Sequence, residues 1–295
     1  MTHIPAEIIT KERVAACFTP RPADSHKGTY GRLVSVCGSY GMAGAALLCA
    51  RAALRSGVGL LTAAVPQQVY PLLVSAVPEA VFLPLPDTGA GTLSQEAAEP
   101  LCRKVADATA VVIGPGLGTG EAVAQVVAQV LRRSPCPVVL DADGINAIAP
   151  HILVEETVLA PLILTPHPGE MARLLGVSAA WVQEHRRQVA RQFADQTGVT
   201  LVLKGHHTLI AAPGHPLLEN PTGNPGMATG GSGDVLAGMI GALVAQGMPP
   251  YEAALCGVYL HGVAGDRAAA RLSQHSVLPS DLIEELPDLF LQIEK

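Results

Sequence analysis

The residues with the clearest chemistry are a glycine run that ends in an acid, Gly230-Gly231-Ser232-Gly233-Asp234. It leads straight into the apolar helical stretch that begins Asp234-Val235-Leu236. Glycines let a backbone turn its N–H groups toward a ligand, and a helix N-terminus adds partial positive charge, so the run reads as an anion site suited to phosphate. No Walker lysine follows, which excludes a P-loop. The G-x-S-x-G pattern fails at Asp234, which excludes a nucleophile elbow. A carboxylate beside an anion hole makes chemical sense when it takes a hydroxyl proton. Gly230, Gly231, Ser232 and Gly233 would then stabilise a transferring phosphoryl group. The plainer alternative is a helix-start acid after a tight turn. The density of glycine favours the functional reading.

Five other segments share this character: Gly38–Gly44, Gly114–Gly120, Asp141–Asn146, Thr165–Glu170 and Lys204–Thr208. Gly114-Pro115-Gly116-Leu117-Gly118 looks like a dinucleotide loop, but Thr119 stands where G-x-G-x-x-G needs glycine. It is either a backbone pressed against a ligand or a plain strand-to-helix turn. His167-x-x-Glu170 has no further ligand cluster to make a tight zinc site. Glu170 either meets a hydrated Mg²⁺ through water or caps the helix predicted over Gly169–Leu175. Asp141-x-Asp143 invites a cation, but a helix start with one capping and one solvated acid is preferred. Lys204-Gly205 could contact a phosphate. His206 and His207 alternate sides if extended, so they cannot share one ion.

These segments must be positioned by the elements before them. Strands are predicted at Arg32–Cys37, Leu60–Val65, Ala110–Ile113, Pro137–Leu140, Ile163–Thr165 and Thr200–Leu203. Helices are predicted at Gly44–Ser56, Val69–Val77, Glu121–Arg133, Ala180–Gln196, Ser232–Gln246 and Tyr251–Arg271. This alternation argues an α/β fold with a mainly parallel sheet, whose ligands bind beyond the carboxyl ends of the strands. Leu201–Leu218 breaks the rhythm and reads as an antiparallel edge turned at Pro213–Gly214. No linker or repeat appears, so 1–295 is read as one domain.

Composition narrows the partners. The net charge of −6 offers no broad positive field for nucleic acid, and aromatics at 3% offer no stacking platform. Val235–Tyr251 holds several glycines and prolines and makes a poor membrane span. Met1–Val14 has no signal-peptide core. Six cysteines without CxxC spacing read as reduced, mostly core thiols, and the expectation is a cytoplasmic protein.

Taken in order, Lys27-Gly28-Thr29-Tyr30-Gly31, Gly44-Ala45-Ala46, Gly114–Gly118, Thr165-Pro166-His167-Pro168-Gly169-Glu170, Lys204-Gly205 with Thr208, and Asn220-Pro221-Thr222-Gly223-Asn224 running into Gly230–Asp234 resemble the ADP/ATP-dependent NAD(P)H-hydrate dehydratase family. That family is a branch of the ribokinase-like superfamily. The resemblance implies a three-layer α/β/α sandwich without a separate lid domain, after an N-terminal extension over residues 1–26. It implies repair of hydrated NADH and NADPH: the C6 hydroxyl is phosphorylated from ADP or ATP with Mg²⁺, and phosphate then leaves. It makes Asp234 the base and Gly230–Gly233 the anion hole. It places Ala45, Gly116, His167 and Asp234 on the hydrated cofactor, and Lys204, Gly205, His206, His207, Thr208 and Gly233 on the adenine nucleotide. It further implies a homo-oligomer, a tetramer or higher, working beside a separate epimerase because only 26 residues precede Lys27. Two other readings compete: a vitamin kinase of the hydroxyethylthiazole or hydroxymethylpyrimidine type, and a nucleotide sensor without turnover. Asp234 argues against the sensor, since binding alone gains nothing from a negative charge beside phosphate.

Overall fold

Apolar residues that neighbour each other along the central strands bury on opposite faces, and this builds two cores on one sheet. Val112, Val139, Ile163 and Val202 enter one core; Val111, Val138, Leu162 and Leu201 enter the other. Side chains alternate across a strand, so a run apolar at every position needs cover on both sides. The computed structural model describes residues 4–149 and 160–294. Among these the strands are β1 (Glu7–Ile8), β2 (Arg32–Val36), β3 (Leu60–Pro66), β4 (Val81–Leu85), β5 (Ala110–Ile113), β6 (Val138–Leu140), β7 (Leu162–Leu164), β8 (Thr200–Leu203), β9 (Leu209–Ala211) and β10 (Leu218–Glu219). They form one sheet in the order β1-β10-β9-β8-β7-β6-β5-β2-β3-β4. Only β9 runs against its neighbours.

The described helices are α1 (Lys11–Ala15), α2 (Ala43–Arg55), α3 (Tyr70–Leu73), α4 (Ala98–Val105), α5 (Glu121–Arg133), α6 (Asp143–Ile148), α7 (Pro168–Leu175), α8 (Ala179–Glu184), α9 (Arg186–Thr197), α10 (Ser232–Ala245), α11 (Pro250–Leu272) and α12 (Pro279–Ile293). Helices α2, α10, α11 and α12 fill the first core, and α4, α5, α6, α7 and α9 the second. The result is the expected α/β/α sandwich with a mainly parallel sheet. Helix α10 is buried almost all round, as its uniformly apolar sequence requires.

Three expectations are corrected. The helix expected over Val69–Val77 closes as the single turn α3, before the β-branched Val74 and Val77. The helix expected over Ala180–Gln196 breaks at His185, whose ring stacks on Trp181, and restarts as α9. The antiparallel stretch is also not the sheet edge. Residues before Lys27 supply β1, which pairs parallel with β10, while Ile9 and Val14 bury behind it.

Candidate active site

Strands β2, β5, β6, β7 and β8 are adjacent and parallel, so the loops after them meet on one rim. Two reversals of direction bring the end of β10, and the glycine loop behind it, to the same rim.

The loop enters α10 through Gly231, which has φ +98° and would place a Cβ 2.6 Å from Leu48. Only glycine fits that backbone and that space. Among the described residues, the N–H groups of Gly233 and Asp234 donate to no other group. They are the orphan donors of a helix start and remain open to an anion. Asp234 is half-buried in the same turn. Burial, reinforced by the charge of Asp141, pushes its carboxyl up to about 7, with Lys204 opposing.

Asp141 departs from the preferred expectation. It is not a capping or solvated acid: its Oδ1 accepts from Lys204 Nζ at 2.6 Å and from Thr165 Oγ1 at 2.6 Å, and the residue is 1% exposed. Ala142 next to it holds φ 49°, ψ −117°, a strained backbone of the kind that concentrates at functional sites. Asp143 accepts from the Gly118 amide at 2.9 Å and so fixes the Gly114–Gly118 loop. Ser39 Oγ donates to the Gly116 carbonyl from the other side. A Cβ at Gly116 would sit 2.7 Å from that of Ala45, so these two expected substrate contacts adjoin.

Glu170 plays the capping role that the sequence left open. Its Oε2 accepts from the His167 amide at 2.8 Å, while His167 Nδ1 accepts from Gly169 and Glu170, a reciprocal box at the start of α7. Burial raises the carboxyl of Glu170 above the ordinary range. Its Oε2 also lies 3.9 Å from Lys204 Nζ. Burial works against the Lys204 charge, but Asp141 and Glu170 outweigh it and hold the ammonium more firmly protonated than in a free lysine. That ammonium reaches the first turn of α10, 3.3 Å from where a Gly233 Cβ would stand.

The segment 204–208 is a turn, so His206 and His207 do not alternate. Their ring centroids are 4.1 Å apart, and His207 adopts φ 54°. His207 Nδ1 lies 2.9 Å from Glu219, and Thr208 Oγ1 donates to the Gly205 carbonyl. Arg186 shapes this turn by donating to the carbonyls of Leu203, His206 and His207. Neither Arg186 nor Glu219 was singled out in the sequence. The available signal was Arg186-Arg187 at a helix start, where the dipole disfavours cations. Among the described residues, no three His, Cys, Asp or Glu are grouped to cage a metal.

The family model described as NAD(P)H-hydrate dehydratase matches residues 33–288. The chain belongs to the NAD(P)H-hydrate dehydratase family. A bifunctional NAD(P)H-hydrate repair enzyme of Moorella thermoacetica is 45% identical over 99% of this chain, which spans 55% of that protein. The ADP-dependent (S)-NAD(P)H-hydrate dehydratase of Bacillus subtilis is 38% identical over 97% of this chain and 98% of its own. The crystal structure of the ADP/ATP-dependent dehydratase from Bacillus subtilis, co-crystallised with ATP and Mg²⁺, superposes with a TM-score of 0.86 at 38% identity, covering 99% of this chain and 100% of that one. A hydroxyethylthiazole kinase from Pyrococcus horikoshii shares 14% identity at a TM-score of 0.56, covering 96% of this chain and 93% of that one, a likeness of fold alone. Family membership therefore rests on the dehydratases. Among the described residues, no helix is long and apolar enough to cross a membrane.

Proposed function

We propose that this protein returns (6S)-hydrated NADH and NADPH to the reduced cofactors by nucleotide-dependent dehydration. The observation that carries the reading is Asp234, a carboxyl raised to about 7, in one helical turn with the unpaired Gly233 and Asp234 amides. A base poised near working pH takes a hydroxyl proton efficiently. Asp234 accepts the proton of the C6 hydroxyl as that oxygen attacks the terminal phosphoryl group of the nucleotide. The amides of Gly230–Gly233 stabilise the charge on the transferring group. Phosphate is a far better leaving group than hydroxide. The ring nitrogen lone pair expels it from C6, and loss of a proton at C5 restores the double bond.

Ala45, Gly116 and His167 are proposed to hold the hydrated ring, and Lys204, Gly205, His206, His207, Thr208 and Gly233 the adenine nucleotide. ADP is the proposed donor, in line with the name of the Bacillus subtilis relative. Lys204 already occupies Asp141, and the His167 amide occupies Glu170. This donor set fits a hydrated Mg²⁺ that enters with the nucleotide and touches Glu170 through water, rather than a caged ion. When bound, such an ion would neutralise phosphate charge. A cytoplasmic homotetramer, acting together with an epimerase activity, completes the proposal.

The test mixes purified protein with hydrated NADH and Mg²⁺, adds ADP or ATP separately, and follows dihydronicotinamide absorbance. Recovery with release of phosphate is expected. No recovery with either nucleotide, from folded protein, would overturn the reading and favour a vitamin kinase.

A further inference from the structure

Helix α11 grips the glycine loop at both ends. At the start, Asp266 accepts from the Gly223 amide and from Asn224 Nδ2, each at 2.9 Å. Thr222 Oγ1 donates to the Tyr259 carbonyl at 3.0 Å, a contact close enough that a Cβ at Gly262 would stand 2.1 Å from that hydroxyl. At the end of the loop, His261 Nε2 lies 2.9 Å from the Ser232 carbonyl and 3.4 Å from its hydroxyl. His261 is buried, and burial pushes its imidazole down to about 4, so the ring is neutral at working pH. A carbonyl oxygen only accepts, so Nε2 carries the proton and donates it.

The Ser232 carbonyl and the Gly233 N–H belong to one peptide unit. That unit is planar and trans, so its C=O and N–H point in opposite directions. Fixing the carbonyl aims the amide. The need is greatest here because residue 233 is a glycine, whose backbone is the most free to rotate. A donor on the carbonyl also polarises the unit and strengthens its N–H.

We propose that His261 is a positioning residue for phosphoryl transfer: it holds the Ser232–Gly233 peptide so that the Gly233 amide faces the transferring group and Asp234 faces the hydroxyl. The proposal rests on the function proposed above. It reaches the reacting atoms only through the peptide.

The experiment compares His261→Met, His261→Gln and Asp234→Asn in the hydrated-NADH assay, with melting temperatures measured in parallel. Removing a direct oxyanion donor costs about 10²–10³ in kcat, and an indirect support should cost about tenfold. His261→Met should therefore lose about tenfold in kcat with both KM values within about threefold of wild type. The Gln amide returns a donor near the Nε2 position, so His261→Gln should recover to within about threefold of wild type. Should His261→Met fail to fold, His261→Asn takes its place, since its shorter amide does not reach Ser232. Equal loss in the Gln and Met variants, with equal falls in melting temperature, overturns the proposal and leaves a core histidine. Collapse of Asp234→Asn beside unchanged His261→Met overturns this proposal alone. Full activity of Asp234→Asn overturns the underlying reading and the proposal with it.

Discussion

Asp141 and Asp234 approach the same ammonium from different elements and are held in opposite ways. Asp141, at the end of β6, is 1% exposed and locked by Lys204 and Thr165, each at 2.6 Å. Asp234, in the first turn of α10, is half-buried, and its carboxyl rises to about 7. The difference separates two tasks. One carboxylate is tied to the Lys204 ammonium and the Thr165 hydroxyl and anchors Lys204. The other is desolvated without such an anchor and can gain and lose a proton near neutrality. Pairs of acids whose environments diverge in this way mark acid–base sites.

The sharpest break in this contrast is Asp234→Asn. The dehydration rate should fall by about 10³-fold, within the usual range for a general base, while nucleotide affinity stays within a few-fold. Parallel turnover and calorimetric titration check both halves. Next is Lys204→Met, which leaves Asp141 buried without its cation. A broken buried pair costs about 3–5 kcal/mol, so the melting temperature should drop by on the order of 5–10 °C. Adding Asp141→Asn to Lys204→Met should recover most of the loss, because the two residues act as a pair.

A pH series sharpens the contrast further. The rate should rise with pH and level off above about 7, as Asp234 ionises. Stability should move the other way. Between the ordinary 3.8 and about 7, the folded protein keeps a proton that the unfolded chain has lost. Stability from Asp234 is therefore present at low pH and lost as pH rises through the folded value. The melting-temperature advantage of Asp234→Asn over wild type should be larger at pH 8 than at pH 5. A gap independent of pH would remove Asp234 from the role of poised base. The smallest effect is expected from Arg186→Met, which frees the carbonyls of Leu203, His206 and His207. A charged hydrogen-bonding group is worth about 1.5–3 kcal/mol, so nucleotide KM should rise by about tenfold or more with kcat little changed.

The strands at the centre were legible because nothing competes with their apolar runs: Ala110–Ile113 and Thr200–Leu203 begin and end as read from the sequence. Helix Glu121–Arg133 was equally clear, with an acid opening it and two bases closing it. Strand β4 was not read, because Pro84 within it argues against a strand; its place at the sheet edge tolerates the missing N–H. The glycine loop and Asp234 were visible because a glycine run ending in an acid at a helix start is written in adjacent residues. The role of Asp141 was not, since it depends on Lys204, 63 residues away. The same holds for Glu219, which organises the 204–208 turn from β10. His206 and His207 misled for a local reason: alternation assumes a strand, and this turn bends at Gly205, with φ 140°.

Strand β1 gives residues 7 and 8 a mechanical line to the 204–208 turn, proposed above to hold the nucleotide. Ile8 is in register with Glu219, and the Ile9 amide donates to the Glu219 carbonyl. The side chain of Glu219 in turn holds both Arg187 and His207. An affinity tag joined ahead of Glu7 would therefore load a residue that helps to steady this turn. The same tag placed after α12 would hang from a helix outside that chain of contacts, which makes the C-terminal end the better handle for measuring nucleotide affinity.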